Sequence, residues 1–147
     1  MPVTRIAKTA LLPYAAEQLF DLVNDIEAYP QYMDGCVGAR ILLASPELVE
    51  ARLELSRAGI TQAFATRNRL LRPQAIEMEL LEGPFRMLAG HWQFDALAPE
   101  ASKVSLDLRF ELDSKLASLA AGKLFEGVAV NLVDSLCRRA HRLYGAA

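Results

Sequence analysis

The chain has 147 residues, 52% of them hydrophobic and 23% charged, with a formal net charge of -2. That is the length and composition of one ordinary globular domain, which excludes a disordered chain. The slightly acidic balance excludes a global field that would draw in DNA or acidic lipid and leaves only local basic clusters to consider.

No apolar run approaches the roughly 20 residues that span a bilayer. Met1 to Leu12 carries Arg5 and Lys8 but no apolar core, because Pro13 cuts Leu11-Leu12 short, so no secretory signal is expected. Cys36 and Cys137 have neither metal-ligand nor CxxC spacing, which predicts two reduced thiols in a cytoplasmic protein. Repeats, low-complexity tracts and Pro/Gly-rich linkers are absent, so residues 1–147 are expected to form a single domain.

Thr4 to Leu12 reads as a first strand, ended by Pro13. Ala15, Leu19, Phe20, Leu22 and Val23 then recur at helical spacing, and Pro13 and Glu17 suit the start of that helix. Asp25 to Tyr29 reads as a second short helix that stops at Tyr29, since Pro30 disfavours the α conformation before it. From Cys36 the period becomes two: Val49, Ala51, Leu53 and Leu55 alternate with Glu50, Arg52, Glu54 and Ser56. Ala58-Gly59 is a turn into a strand from Ile60 to Leu70, and Arg72-Pro73-Gln74 a turn into one where Ile76, Met78 and Leu80 oppose Glu77 and Glu79. Gly83-Pro84 breaks the chain before a strand from Met87 to Ala96, and Leu97 to Glu100 forms a loop. In the last strand, Lys103 to Leu112, Val104, Leu106, Leu108, Phe110 and Leu112 oppose Ser105, Asp107, Arg109 and Glu111. Short turns between successive strands imply an antiparallel sheet.

Asp113-Ser114 is an N-cap candidate for one long helix from about Lys115 to about Tyr144. Its apolar stripe is Leu116, Leu119, Ala120, Leu124, Val128, Leu132 and Leu136, and Gly145 provides the stop. Arg138, Arg139, His141 and Arg142 complement the negative end of its dipole. Gly122 and Gly127 each cost about 1 kcal/mol relative to alanine in a helix interior, which points to a bend or a close backbone approach there. Asn131 and Asp134 also lie near its middle. Two short helices after the first strand, a run of antiparallel strands and a long helix make an α+β fold, a curved sheet wrapped around the C-terminal helix.

Catalytic signatures are missing. The two histidines, His91 and His141, lie in different elements, and no HExxH, nucleophile elbow, Walker A or GxGxxG pattern occurs. His91 flanks the inward-looking Trp92 and should face solvent or a cross-strand partner, and Glu77 and Glu79 share the polar face of their strand. No catalytic residue and no metal is expected. Apolar residues on converging faces are more informative. Phe64, Met78, Leu80, Trp92, Phe94, Phe110, Leu124 and Val128 are expected to line an apolar pocket, with Pro30 and Tyr32 at its mouth. Packed core is the plainer account of any one of them. Such a pocket suits a hydrophobic small molecule, and Trp92 can serve as a wall or donate its indole N–H to a ligand carbonyl.

These features resemble the ubiquinone-binding START-domain family, whose branches are the Coq-type quinone chaperones and the RatA-type ribosome-association toxins. The resemblance rests on Pro13-Tyr14, Leu19-Phe20-Asp21-Leu22-Val23, Ala28-Tyr29-Pro30-Gln31-Tyr32, Glu82-Gly83-Pro84-Phe85, Gly90-His91-Trp92-Gln93-Phe94, Cys137-Arg138-Arg139-Ala140 and Leu143-Tyr144-Gly145. It covers essentially the whole chain and implies a helix-grip (START/Bet v-like) fold, no required cofactor and no catalytic machinery. Where the family usually continues with Pro-Trp before the cysteine, this chain has Met33-Asp34-Gly35 before Cys36, which predicts a wider and more polar mouth.

The leading expectation is a non-enzymatic carrier of ubiquinone or another isoprenoid quinone, supporting respiration. The alternative implied by the resemblance is a toxin that binds the large ribosomal subunit and blocks subunit association. Arg138, Arg139 and Arg142 would form its RNA-contacting surface, with Arg67, Arg69 and Arg72 as a second one. A weaker alternative is a polyketide cyclase-like enzyme with Tyr29, Tyr32 or Glu82 near the pocket. Contact with the inner face of a membrane, if the carrier exchanges cargo there, is expected through a loop such as Leu81 to Leu88.

Overall fold

The computed structural model describes residues 3–113 and 119–145. Seven strands, β1 (Thr4–Leu12), β2 (Cys36–Ala44), β3 (Leu48–Arg57), β4 (Ile60–Leu71), β5 (Ala75–Glu82), β6 (Phe85–Ala98) and β7 (Ala101–Leu112), form one antiparallel sheet in the order β1-β7-β6-β5-β4-β3-β2. The expected α+β fold is present, a curved sheet closed on its inner face by helices. Helix α1 (Ala16–Asn24) and a 3-10 helix (Ile26–Gln31) follow β1; α2 (Leu119–Val130) and α3 (Leu132–Tyr144) end the chain.

Local chemistry explains most of these boundaries. The backbone N–H of Ala15 donates to Oε1 of Gln18 at 3.1 Å, which occupies one group at the mouth of α1. Ala58 and Gly59 both have positive φ, 53° and 82°, the backbone of a two-residue turn whose twist matches the strands it joins. Ser102 donates to the carbonyl of Tyr14 at 2.8 Å and is fully buried, so it pins the β1–α1 corner to the start of β7.

Three expectations need correction. The helical segment does not stop at Tyr29. It runs to Gln31 in 3-10 form, with the N–H groups of Tyr32 and Met33 both donating to the Tyr29 carbonyl and carrying the chain past Pro30. Leu97 and Ala98 belong to β6, and Ala98 pairs with Ala101 across a turn at Pro99-Glu100. The single long helix is two helices broken at Asn131, whose side-chain amide donates to the Gly127 carbonyl at 3.0 Å while its backbone N–H reaches the same oxygen at 3.4 Å. A side chain competing for a helical carbonyl is a recognised cause of a kink. The cap proposed at Ser114 and the residues Lys115 and Leu116 lie outside the described residues.

Helix α1 packs on β6 and β7, α2 crosses β3 and β4, and α3 lies along β1 and α1. Phe125 anchors α2 to the sheet, its ring 4.6 Å from Phe110, 4.8 Å from Phe85 and 5.5 Å from Phe64 between centroids. Each such aromatic pair adds about 0.5–1.5 kcal/mol beyond its area burial.

Candidate functional site: an apolar cavity and two charged faces

The inner face of the sheet and the helices border a partly open cavity of about 80 Å³. Strands β3 and β4 supply Ala51, Leu53, Leu55, Phe64, Thr66 and Asn68, and β5 to β7 supply Met78, Leu88, Trp92 and Leu108. Ile26, Tyr29 and Met33 close it on one side and Phe125, Val128, Ala129 and Leu132 on another. Ligand pockets for drug-sized molecules are about 300–1,000 Å³. A quinone with its tail therefore requires the helices or the loop at Met33 to move outward.

Of the residues expected at the pocket, Phe64, Met78, Trp92 and Val128 border the cavity. Phe94 does not: it stacks on Trp92 at 6.2 Å and meets Phe20 edge-on at 5.7 Å, in the core beneath α1. Phe110 belongs to the aromatic cluster around Phe125, Leu124 is buried in the core, and Leu80 packs half-buried beside it. Pro30 is exposed, and Tyr32 does not border the cavity. Instead the guanidinium of Arg139 lies 5.1 Å from the Tyr32 ring centroid and Arg139 donates to Oε1 of Gln31 at 3.2 Å, which ties the 3-10 helix to α3. Burial pushes the Tyr32 phenol up, and burial, helped by the nearby Tyr32, Cys36 and Asp25, also raises that of Tyr29. The Tyr29 hydroxyl donates to the Val23 carbonyl.

Thr66 and Asn68 border the cavity as well, though the apolar pattern of β4 does not point to them. Both are buried, and Thr66 donates to Oδ1 of Asn68 at 2.9 Å inside an otherwise apolar lining. The signal was the parity of β4. Phe64 and Leu70 face inward, so Asn68, two residues from Leu70, must face inward too, while Arg67 and Arg69 face out. Buried polar groups are costly unless bonded, so this pair marks the polar spot of the cavity wall.

A larger hollow of about 580 Å³ lies on the outer face of the sheet, over Ala89 and Gly90. It is open to water and its charged walls pair with one another. Arg67 meets Glu50 at 2.8 Å and Glu79 at 3.6 Å, and Arg69 meets Glu77 at 3.9 Å. Arg5 meets Asp107 at 3.0 Å and Arg109 meets it at 3.7 Å. His91 stands between Glu77 and Asp107 on this ladder, as expected for a solvent-side histidine. Arg72 is held by both oxygens of Asp21 at 3.0 and 2.9 Å. The apolar cavity, though smaller, is the better candidate for a small ligand, because the hollow's charges already pair with each other.

The α3 face differs. Arg138 and Arg142 are exposed and form no ion pair among the described residues; Arg138 reaches only the Ser135 hydroxyl, at 3.4 Å. Beside them the Tyr14 hydroxyl lies 2.6 Å from Nδ1 of His141. Cys36 and Cys137 are free thiols, and burial pushes both up. Among the described residues, no cluster of three or more His, Cys, Asp or Glu could hold a metal ion, and no helix is long and apolar enough to cross a membrane.

Residues 12–137 match the family described as polyketide cyclase / dehydrase and lipid transport. The chain belongs to that family. It is 44% identical over 142 residues to the ribosome association toxin RatA of Escherichia coli, covering 97% of this chain and 90% of that protein. It is 22% identical over 143 residues to a coenzyme Q-binding protein COQ10 homolog of Xenopus laevis, covering 95% of this chain and 59% of that one. Among solved structures, the Zhui aromatase/cyclase of a Streptomyces species superposes with a TM-score of 0.79 at 18% identity, covering 96% and 95% of the two chains, which shows the shared fold.

Proposed function

We propose that this chain is a ribosome-directed binding protein that contacts the large subunit through α3 and carries an apolar ligand cavity between the sheet and α2. The similarity to RatA over nearly the whole chain carries the ribosomal reading. The surface supports it on α3 alone, since Arg138 and Arg142 have no ion-pair partner among the described residues. Arg67, Arg69 and Arg72 are already neutralised by carboxylates. Free guanidinium groups on one exposed helix face suit RNA phosphates, and such contacts weaken steeply with salt. Co-sedimentation with large ribosomal subunits across a salt series tests this directly.

A second reading concerns the cavity: the non-enzymatic binding of a hydrophobic molecule such as an isoprenoid quinone. The apolar lining favours it, together with the distant similarity to a coenzyme Q-binding protein. Relative to the order expected from sequence, the ribosomal reading moves to first place. An enzymatic role has less support, because the Tyr29 hydroxyl is bound to a carbonyl and Tyr32 and Glu82 do not border the cavity.

A further inference from the structure

Strand β4 carries a side-chain amide on its inner face, between apolar ends. Phe64, Thr66, Asn68 and Leu70 all point inward, and Asn68 is only 5% exposed and borders the cavity. Its Oδ1 accepts the Thr66 hydroxyl at 2.9 Å, whereas its Nδ2 amino group donates to no protein group among the described residues. A buried N–H without an acceptor is costly, and an apolar side chain would serve the core better unless something in the cavity accepts from it. The rest of the lining limits what that can be. Among the described residues no charged side chain borders the cavity, so nothing there compensates a charge on a ligand. The Tyr29 proton is spent on the Val23 carbonyl and the Thr66 proton on Asn68, so the amino group of Asn68 is what the hydroxyl and amide groups of the lining leave on offer. Space beside it is adjustable. Met78 pairs with Asn68 across β4 and β5, and its Cε fills the notch above Gly90, where a Cβ would collide with it. A thioether side chain repacks at little cost, so the cavity can widen next to the amide.

We infer that Asn68 is the specificity-determining residue of the cavity: its amino group donates to a carbonyl oxygen of an uncharged, otherwise apolar ligand, and Thr66 positions the amide by holding Oδ1. This rests on the cavity reading above and names the group by which the ligand is recognised. Thr66 decides which end of the amide is free. With Oδ1 held, the amide presents donors and asks for an acceptor. A carbonyl oxygen supplies one and brings no charge, whereas an amine or acid head would carry its charge into walls that hold no counter-charge. The apolar remainder of the lining then takes the ligand's hydrocarbon, and the one hydrogen bond sets its orientation.

The test uses cyclohexanone and methylenecyclohexane, which share a ring and differ only in C=O against C=CH₂. Each is titrated into the isotope-labelled intact protein, the Asn68→Leu variant and the Thr66→Val/Asn68→Leu double variant. Affinity is read by NMR from the indole N–H of Trp92, the chain's only tryptophan, which borders the cavity. The double variant replaces both bonded partners with apolar groups, leaves no buried hydroxyl stranded, and carries the comparison if the single variant does not fold. Circular dichroism checks folding. The expected result is that cyclohexanone loses about tenfold in affinity relative to methylenecyclohexane when Asn68 is replaced, the scale of one buried hydrogen bond. In the intact protein the ketone, and not the alkene, moves the Asn68 amino resonances downfield. A ketone-to-alkene ratio unchanged by the substitutions, or amino resonances that the ketone leaves in place, gives the amide to packing or to a bound water; it overturns the Asn68 inference and leaves the cavity reading standing. No movement of the Trp92 resonance with either compound overturns both.

Discussion

Filling the cavity from α2 separates a real void from a tightly packed core. Ala129 is buried and borders the cavity, so Ala129→Leu projects three further carbons toward it. The cavity volume of about 80 Å³, at about 24 cal/mol per Å³, corresponds to roughly 2 kcal/mol of forfeited packing. The three added carbons, at about 0.8 kcal/mol each, give roughly 2.4 kcal/mol from burial alone. The two figures agree, and imperfect fit lowers the expected gain to about 1–2 kcal/mol. For a domain of this size that raises Tm by about 3–7 °C. Thermal unfolding followed by circular dichroism measures it, on protein stripped of ligand. The same variant, purified from a quinone-producing host and extracted into organic solvent, should carry less apolar ligand by mass spectrometry than the unaltered chain. A destabilisation above about 1 kcal/mol would mean overpacking and no usable space beside α2. A raised Tm with unchanged ligand content would place the ligand elsewhere.

Gly35→Ala should destabilise by about 2 kcal/mol, because φ is +90° there and the new Cβ would stand 2.7 Å from Val128 Cγ2; a chemical-denaturation midpoint equal to that of the unaltered chain would refute the close approach of loop and α2. Alkaline stability follows from Tyr29 and Tyr32, whose phenols are raised in the folded chain. The native state keeps protons that the unfolded chain releases near pH 10, so stability is complete below that pH and falls as pH rises above it. The slope is about 1.4 kcal/mol per pH unit for each tyrosine. Urea midpoints between pH 8 and 11 should show it, and Tyr32→Phe should remove its share; a flat profile would contradict the burial of both hydroxyls.

Much of the fold was legible because strands such as β3, β5 and β7 alternate and turns such as Ala58-Gly59 carry their own chemistry. Lys103 to Leu112 reads as a half-buried strand without any knowledge of its neighbours, and Ala58-Gly59 names its turn. The candidate site was only partly legible. Phe94 and Phe64 both read as inward aromatics, and nothing in periodicity separates the one under α1 from the one beside the cavity; that depends on where α1 and α2 cross the sheet. Phe125 falls at helical spacing from Leu132, yet its role became visible only with three partner rings in place. The break at Asn131 arises from a side chain taking the Gly127 carbonyl, a competition that composition does not register. Arg67 and Arg69 read as a basic patch because the pairing of β4 with Glu77 and Glu79 on β5 and Glu50 on β3 is a matter of register, which the sequence of one strand does not contain.

The proposed ribosomal role assigns the contact to the α3 face, and the most direct test is sedimentation with isolated large subunits from low to high salt, comparing the unaltered chain with the Arg138→Gln/Arg142→Gln double variant. If each arginine meets one phosphate, losing both lowers the log–log salt slope by about 1.4–1.8, so affinity at low salt falls and the difference between the two proteins shrinks about tenfold over a fourfold rise in salt. The account predicts that outcome with folding unchanged. A double variant that sediments with the subunit identically at every salt concentration, or an unaltered chain that never sediments with it, would contradict it.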